Sequence, residues 1–549
     1  MEYGASNTVR VSGGRLRLLG GGASIDAVAM RGQGAGVDRF IVDAGEVTVD
    51  ESRWFGVGFR TGDAHLIVNG GTTTLSRVSL GARDMDLDLS ARGFVNINGG
   101  LLEVTGNFGW MGSSTVGRTN IVTLGSGTPG SGVWRTCATS NPRYERDNMP
   151  IMRFNGGTLE TRGLAAYGTS SLGDFLSGAK QVYVDAGGAR IDTKGLDVAI
   201  TQPLQKGSEP DGGLTKLGAG RLALTGACGF TGATVVEEGV LTLPVSYASA
   251  SLTVMTDAAV NLANGSIQTF SPPALTLQNG ATVIFEALAD GSACDQLVFP
   301  EGAAVGDIAV ALLRSGTPVT ASAPGDYPVF AFSGSAPDVG GWTLLNPPQG
   351  RTASFEIVGG TVVVRIAYAA GVSIWTQSGS GDWETGGNWN VAPADAAGTA
   401  VRFDGAITAA ATVTRASGST AGSVTFNSVY PYTLAGAALT LEGVENEPPF
   451  LAAEYGSHAV QAAVVLSEDA AVRAAAGAAV ALNGGVSGSA TLAVEGPGTL
   501  SLPDATGLAV DGLALTDAGR LAFTNSTVLT VPVSLGAGGG VLADRKSVV

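Results

Sequence analysis

The chain is poor in charge and nearly devoid of histidine and cysteine. Lys and Arg total 31 and Asp and Glu 47 in 549 residues, so charged side chains make up 14%, against about 25% in an ordinary soluble domain. The two histidines, His65 and His458, lie far apart in the chain, which argues against histidine-based catalysis and against a multi-histidine metal site. Three cysteines (Cys137, Cys228, Cys294) are widely separated and form no CxxC pair. That spacing offers no metal site, and isolated buried thiols are the expectation. Basic residues are too scarce for a polyanion partner. The net charge of −16 repels nucleic acid, whose binding rests on Lys and Arg neutralising phosphates, while a negative surface suits solubility outside a cell. No apolar run reaches the length of about 18 residues that a membrane helix needs. The opening "MEYGASNTVRVSGG" lacks the basic end and apolar stretch of a secretory signal. At the other end, "DRKSVV" (544–549) departs from the local pattern. The expectation is an internal piece of a longer exported chain, so the missing signal and anchor carry no message about compartment.

Glycine, in contrast, is plentiful. It supplies 83 residues, about twice the usual share of about 7%. Hydrophobic residues, at 44%, are close to normal, so the chain can bury a core. Few charges, many turns and a normal apolar content fit an all-β protein built from short strands.

Those strands recur. "FIVDAGEVTVDESRWFGVG", "LIVNGGTTTLSRVSLG" and "VNINGGLLEVTGNFGWMG" share a strand, an Asp or Asn with glycine, a second strand, then an aromatic or Leu and another glycine. Aligning Gly45, Gly71 and Gly100 gives spacings of 26 (71 − 45) and 29 (100 − 71) residues. Weaker copies follow at Gly156–Gly157 and Gly187–Gly188, and Trp54, Phe108 and Trp110 fall at repeat-equivalent positions. Within a copy the residues alternate, as in Ile41, Asp43 and Val47, Val49, which places successive side chains on opposite faces. One such unit cannot bury its own inner face, whereas stacked coils can. A period in the twenties without intervening helices points to a parallel β-helix. A β-sandwich array shares the same local signals, because period two does not separate parallel from antiparallel pairing.

The stretch "GGLTKLGAGRLALTGACGFTGATVVEEGVLTL" (212–243) is more particular. With the lead-in "VDAGGARIDTKGLDVAITQPLQ", it closely resembles the autotransporter-associated β-strand repeat found in passenger regions of large bacterial surface proteins. The resemblance covers about residues 184–243. Cys228 and Phe230 stand where that family more often has Asn and Tyr. The resemblance implies transport across the outer membrane by a C-terminal barrel, with another terminal signal as the alternative anchor. The residues themselves predict stacked strands and no ligand site, with the apolar Leu222, Leu224, Val235, Leu241 and Leu243 inward. Further on, "WTQSGSGDWETGGNWNVAPADAAGTAVRF" (375–403) resembles the opening of a module between such repeats, and "SATLAVEGPGTLSLP" reads as a degenerate second copy. The organisation expected is a β-helical repeat region over 1–245, a β-rich continuation over 246–372, and the start of a second, truncated repeat module over 373–549.

Few constellations could carry chemistry. In "RDMDLDLS" the carboxylates Asp84, Asp86 and Asp88 share one strand face, neighbours about 6.6 Å apart. That row could hold a hard cation such as calcium, or with Arg83 or Arg92 imitate the acidic face of a polysaccharide lyase. It lacks the DxDxDG spacing of a calcium loop, and a solvated outer face is the expectation. Trp375, Trp383 and Trp389 could stack on a sugar, but tryptophans opening a module more often plug the end of a stack. Neither "GLTKLGAG" nor "GGGAS" has the GK[ST] of a phosphate loop. "AAVRAAAGAAVALNGG" (470–485) has helical propensity, yet Gly477 and its β surroundings favour another rung.

The sequence therefore predicts an all-β, right-handed parallel β-helix or related solenoid with a second β-rich module. It predicts a monomeric, non-enzymatic exported passenger or surface stalk on the bacterial outer membrane or outside it. No catalytic, cofactor-binding or metal residue and no cofactor is assigned, and surface loops are left to meet glycans or proteins. A carbohydrate-active lyase or hydrolase on a β-helix scaffold and a sugar-binding module are the alternatives.

Overall fold

The computed structural model describes residues 6–18, 26–30, 36–49, 54–58, 62–81, 92–110, 119–139, 150–163, 172–288, 293–314, 325–345, 347, 351–368, 370–525, 528–536 and 538–544. Among them there is no α-helix, only strands and two single-turn 3-10 segments. The early rungs are three short strands joined by tight corners. Asp63–Val68, Thr72–Leu75 and Arg77–Leu80 make one rung, and Arg92–Ile97, Leu101–Val104 and Phe108–Trp110 make the next. Strands of equal rank pair in parallel, with Asp63 opposite Arg92, Thr72 opposite Leu101 and Phe108 opposite Val78. The architecture is a parallel β-solenoid, and the sandwich alternative is not adopted over this region.

The repeat glycines explain the corners. Gly45, Gly71 and Gly100 stack rung on rung, with backbone φ of +88°, +69° and +63°. A Cβ on Gly71 would fall on the carbonyl oxygen of Gly45, and one on Gly100 on that of Gly71. Only glycine tolerates both the dihedral and the close approach. Beside them runs a polar ladder. Asn98 donates its side-chain amide to Asn69 at 2.9 Å, and Asn69 donates to Asp43 at 2.8 Å, so equivalent corners satisfy one another. The aromatic alignment needs one correction. Phe108 and Trp110 share rows with Phe55 and Val57, whereas Trp54 lies opposite Arg77, half-buried beneath its guanidinium at 5.8 Å. Period two turns Phe55, not its neighbour Trp54, to the core.

Alternation decides what is buried. The strand Asp63–Val68 sends Ala64, Leu66 and Val68 inside and its other three residues outward. These inner rows form one continuous apolar core from Val11 to Ile366. Parallel stacking continues past the 214–243 stretch: Thr234–Val236 pairs with Leu252–Val254, and Leu252–Val254 with Leu275–Leu277. The pattern then changes. Gly325–Phe332 still pairs in parallel with Gln296–Phe299, but Thr361–Tyr368 joins it antiparallel, and Arg351–Val358 adds the outer edge. An antiparallel flap thus closes the first stack.

A second three-strand stack begins at Val372–Ile374 and has its own core, from Trp375 to Phe523. Ala470–Ala474 and Ala479–Leu482 are rung strands in it, so the alanine-rich stretch is strand and not helix. Packing against the rungs on either side outweighs its local helical propensity.

Candidate functional site

The most distinctive side-chain arrangement lies in the rungs around 211–243. Asp211 sits just before the paired glycines and is nearly fully buried. Its carboxylate accepts from the backbone N–H of Gly213 at 3.1 Å, of Thr231 at 2.7 Å and of Gly232 at 2.6 Å, and from the Thr231 hydroxyl at 2.9 Å. One carboxylate thereby ties two successive corners together. Burial raises its pKa, but the donors from Thr231, Gly232 and Gly213 outweigh that and hold it below the ordinary carboxylate value.

Five residues on, Lys216 points into the core. The strand Leu214–Leu217 buries Leu214 and Lys216 and turns Thr215 and Leu217 outward. Lys216 occupies the inner row between Ile191 and Val236 and is 0% exposed. Its aliphatic stem fills that apolar position while the ammonium bends to the corner. There Nζ donates to the carbonyls of Leu217 at 2.9 Å, Gly218 at 2.6 Å and Glu238 at 3.0 Å, and lies 3.2 Å from the Thr193 hydroxyl. These partners come from three consecutive rungs. Burial draws its pKa from 10.5 down to about 8, against the opposing pull of Asp192, Glu238 and Asp197. Every donor direction is committed to the fold, so Lys216 is a structural pin and offers nothing to a ligand.

The apolar residues of the stretch behave largely as expected. Leu222, Leu224, Leu241 and Leu243 are buried. Val235 is the exception. It is half-exposed, and its neighbours Thr234 and Val236 face inward. A threonine is tolerated inside because its hydroxyl bonds to the Tyr247 hydroxyl and to Ser249, the latter at 3.1 Å.

The other candidates are placed as follows. Asp84, Asp86, Asp88 and Arg83 lie outside the described residues. Arg92 makes a two-pronged pair with Asp63, at 2.8 and 2.5 Å. Trp375, Trp383 and Trp389 are at most 5% exposed. Trp389 packs edge-on against both of the others with ring centroids 5.0 Å apart, and Phe403 extends this aromatic cluster. Their faces are spent on the end of the second core and none is offered to a sugar. His65 stacks on Phe94 in the first stack at 4.4 Å. His458 is buried in the second, accepting at Nδ1 from the Tyr432 N–H at 3.1 Å. The two imidazoles thus serve separate packing roles. Cys137, Cys228 and Cys294 are free and buried, and burial pushes the Cys228 thiol up to about 12. Such a thiol is a poor nucleophile. Among the described residues no three His, Cys, Asp or Glu side chains gather as metal ligands, and no helix is long and apolar enough to cross a membrane.

The fold and its corner chemistry define a glycine-cornered parallel β-solenoid in which Asn69, Asn98, Asp211 and Lys216 bond from one rung to the next. The comparison with known families agrees with that class. A family model described as "Passenger-associated-transport-repeat" matches residues 214–243, the segment that carries Lys216 and the Thr231–Gly232 corner. No curated protein matches the chain. Sequence reasoning found the segment but missed the roles of Asp211 and Lys216. Strict alternation from the inward Leu214 was the signal that could have turned Lys216 inward.

Proposed function

We propose that the chain is a structural, non-catalytic passenger segment of an autotransporter-like bacterial protein, carried to the cell surface or beyond it. There it acts as a stiff stalk whose corner loops meet glycans or proteins. The observation that carries this reading is the passenger-associated repeat at 214–243, set within an uninterrupted run of parallel rungs. In those rungs the charged groups described above pair with each other or with backbone, as Asp211, Lys216 and Arg92 do. A solenoid is suited to this work, since each rung contacts only its neighbours and length is gained without a larger core.

The test is display. The chain is placed between an export signal and an outer-membrane barrel, and intact cells are probed with protease and antibody. Surface exposure in a folded, protease-resistant form is expected, and retention inside the cell would sink the passenger reading. Binding of the displaying cells to glycan and matrix-protein arrays, against barrel alone, tests adhesion separately. A reducing-sugar and unsaturated-product assay over a polysaccharide panel tests the non-catalytic claim, where turnover lost in Asp86→Ala would overturn it.

A further inference from the structure

The two stacks meet through charge. Among the described residues, no side chain belongs to both apolar cores, the first ending at Ile366 and the second beginning at Trp375. No strand of one pairs with a strand of the other either. What does cross is Arg351, the first residue of the flap's outer strand Arg351–Val358. Its Nη2 lies 2.9 Å from Oδ2 of Asp404 in the second stack, and the two side chains are only 2% and 5% exposed. Asp404 is itself built in. Its Oδ1 accepts from Arg402 at 3.2 Å, its backbone carbonyl accepts from the Tyr432 hydroxyl at 2.9 Å, and Arg402 forks onto Glu454 at 2.7 and 3.1 Å. Arg351, Asp404, Arg402 and Glu454 form a chain of alternating charge with no net excess.

We infer that this ion chain is a latch that fixes the angle between the two stacks, with Arg351 as its movable member. Three of its four residues belong to the second stack and hold their geometry through rungs already paired there, since Ala400–Phe403 pairs with Ser423–Asn427 and that strand with Phe450–Tyr455. Arg351 alone comes from the other body, on a strand that among the described residues pairs on one side only. A guanidinium so deeply buried is screened little by salt. Withdrawing it leaves Asp404 short of one cation, so the docked angle is favoured strongly over alternatives. Contacts between apolar surfaces slide at small cost, whereas a buried two-atom ion contact is directional. The latch thus makes one stiff rod of two separately cored pieces.

Spin labels at Ser271→Cys and Gln461→Cys, both exposed positions in different stacks, report the angle as a distance distribution. The native thiols are buried and stay unlabelled. The parent is expected to give one narrow distribution. Arg351→Gln and Arg351→Met should broaden it at least twofold while far-UV circular dichroism and tryptophan emission stay unchanged. Arg473→Gln, which breaks the exposed pair with Glu495 inside the second stack, should leave it narrow. A broad distribution in the parent, or a narrow one in both Arg351 variants, overturns the inference. So does loss of the folded signal in both variants, because Arg351 would then be needed within its own stack.

Discussion

The ammonium of Lys216 donates to the carbonyl of Glu238 at 3.0 Å, across the gap between one rung and the next. Its other partners are Leu217, Gly218 and Thr193; the Leu217 and Gly218 carbonyls also accept from Thr193, so the Glu238 carbonyl is the acceptor that depends most on the lysine. Lys216→Met keeps most of the stem volume and removes every donor. The expected cost is about 1–3 kcal/mol, the penalty for the buried Glu238 carbonyl losing this donor. Urea unfolding followed by far-UV circular dichroism measures it, and a cost below about 0.5 kcal/mol would show the pin to be idle.

The same group makes stability depend on pH. Its folded pKa, about 8, lies below the ordinary 10.5, so between these values the unfolded chain binds more protons than the folded one. Stability from this group therefore rises with pH across that window. The parent should gain resistance to urea from pH 8 to about 10.5 relative to Lys216→Met, in which this rise is absent. A parallel response in the two proteins would count against the buried setting of the amine.

Asp211 works in the opposite sense. Its folded pKa is lowered below 3.8 because the donors of Thr231, Gly232 and Gly213 outweigh its burial. Its contribution is present above the unfolded value and is lost as pH falls through the folded one. Asp211→Asn presents an N–H₂ to donors that need an acceptor, and a loss of about 1–3 kcal/mol at pH 7 is expected. The difference between parent and variant should shrink in acid, which a urea series from pH 7 to pH 2 would read.

Asp211 and Lys216 also mark how far the sequence could be read. The rungs were legible because alternation and the glycine corners at Gly45, Gly71 and Gly100 are local properties, visible without knowing the partner strand. The 26- and 29-residue spacings without intervening helices pointed to parallel stacking, while the period-two alternation alone left a sandwich array open. Polar roles were not legible in the same way. The partners of Lys216 lie on three rungs, and nothing in "LTKL" names Thr193 or Glu238. Val235 was assigned inward because valine usually is, yet Thr234 took the inner place once Tyr247 and Ser249 supplied hydroxyl partners. The flap that closes the first stack and the Arg351–Asp404 contact are tertiary choices without a periodic signature.

Asp295 gives a further pH signature. It is fully buried beside Glu286, and burial lifts its pKa to about 7, opposed by the N–H donors of Glu286 and Gln268 and aided by the Glu286 charge. The folded form thus holds the proton more tightly than the unfolded one. This stability is fully present below about pH 3.8 and is lost as pH rises through 7. Asp295→Asn should flatten that decline. Urea midpoints of parent and variant between pH 4 and pH 8 would test it, and identical slopes would remove Asp295 from the account.

The two faces of the 214–243 rungs can be told apart by paired substitutions. Leu224 is 1% exposed in the inner row opposite Ile200. Leu224→Asp would bury a carboxylate with no cation aligned to it, and a loss of several kcal/mol is expected, on the order of 4 kcal/mol, enough to unfold the local rungs. Val235, on the outer side of its strand, should accept threonine within about 0.5 kcal/mol, since threonine keeps the β-branch that suits a strand. Moving the same change one residue along, Val236→Thr places a hydroxyl in the inner row beside Lys216 and Val254, where a loss of about 1–3 kcal/mol is expected. Thermal and urea unfolding of the three variants would read the alternation directly. Equal costs at Val235 and Val236 would mean that the strand's two faces are not distinguished, and the rung packing described for this repeat would be wrong.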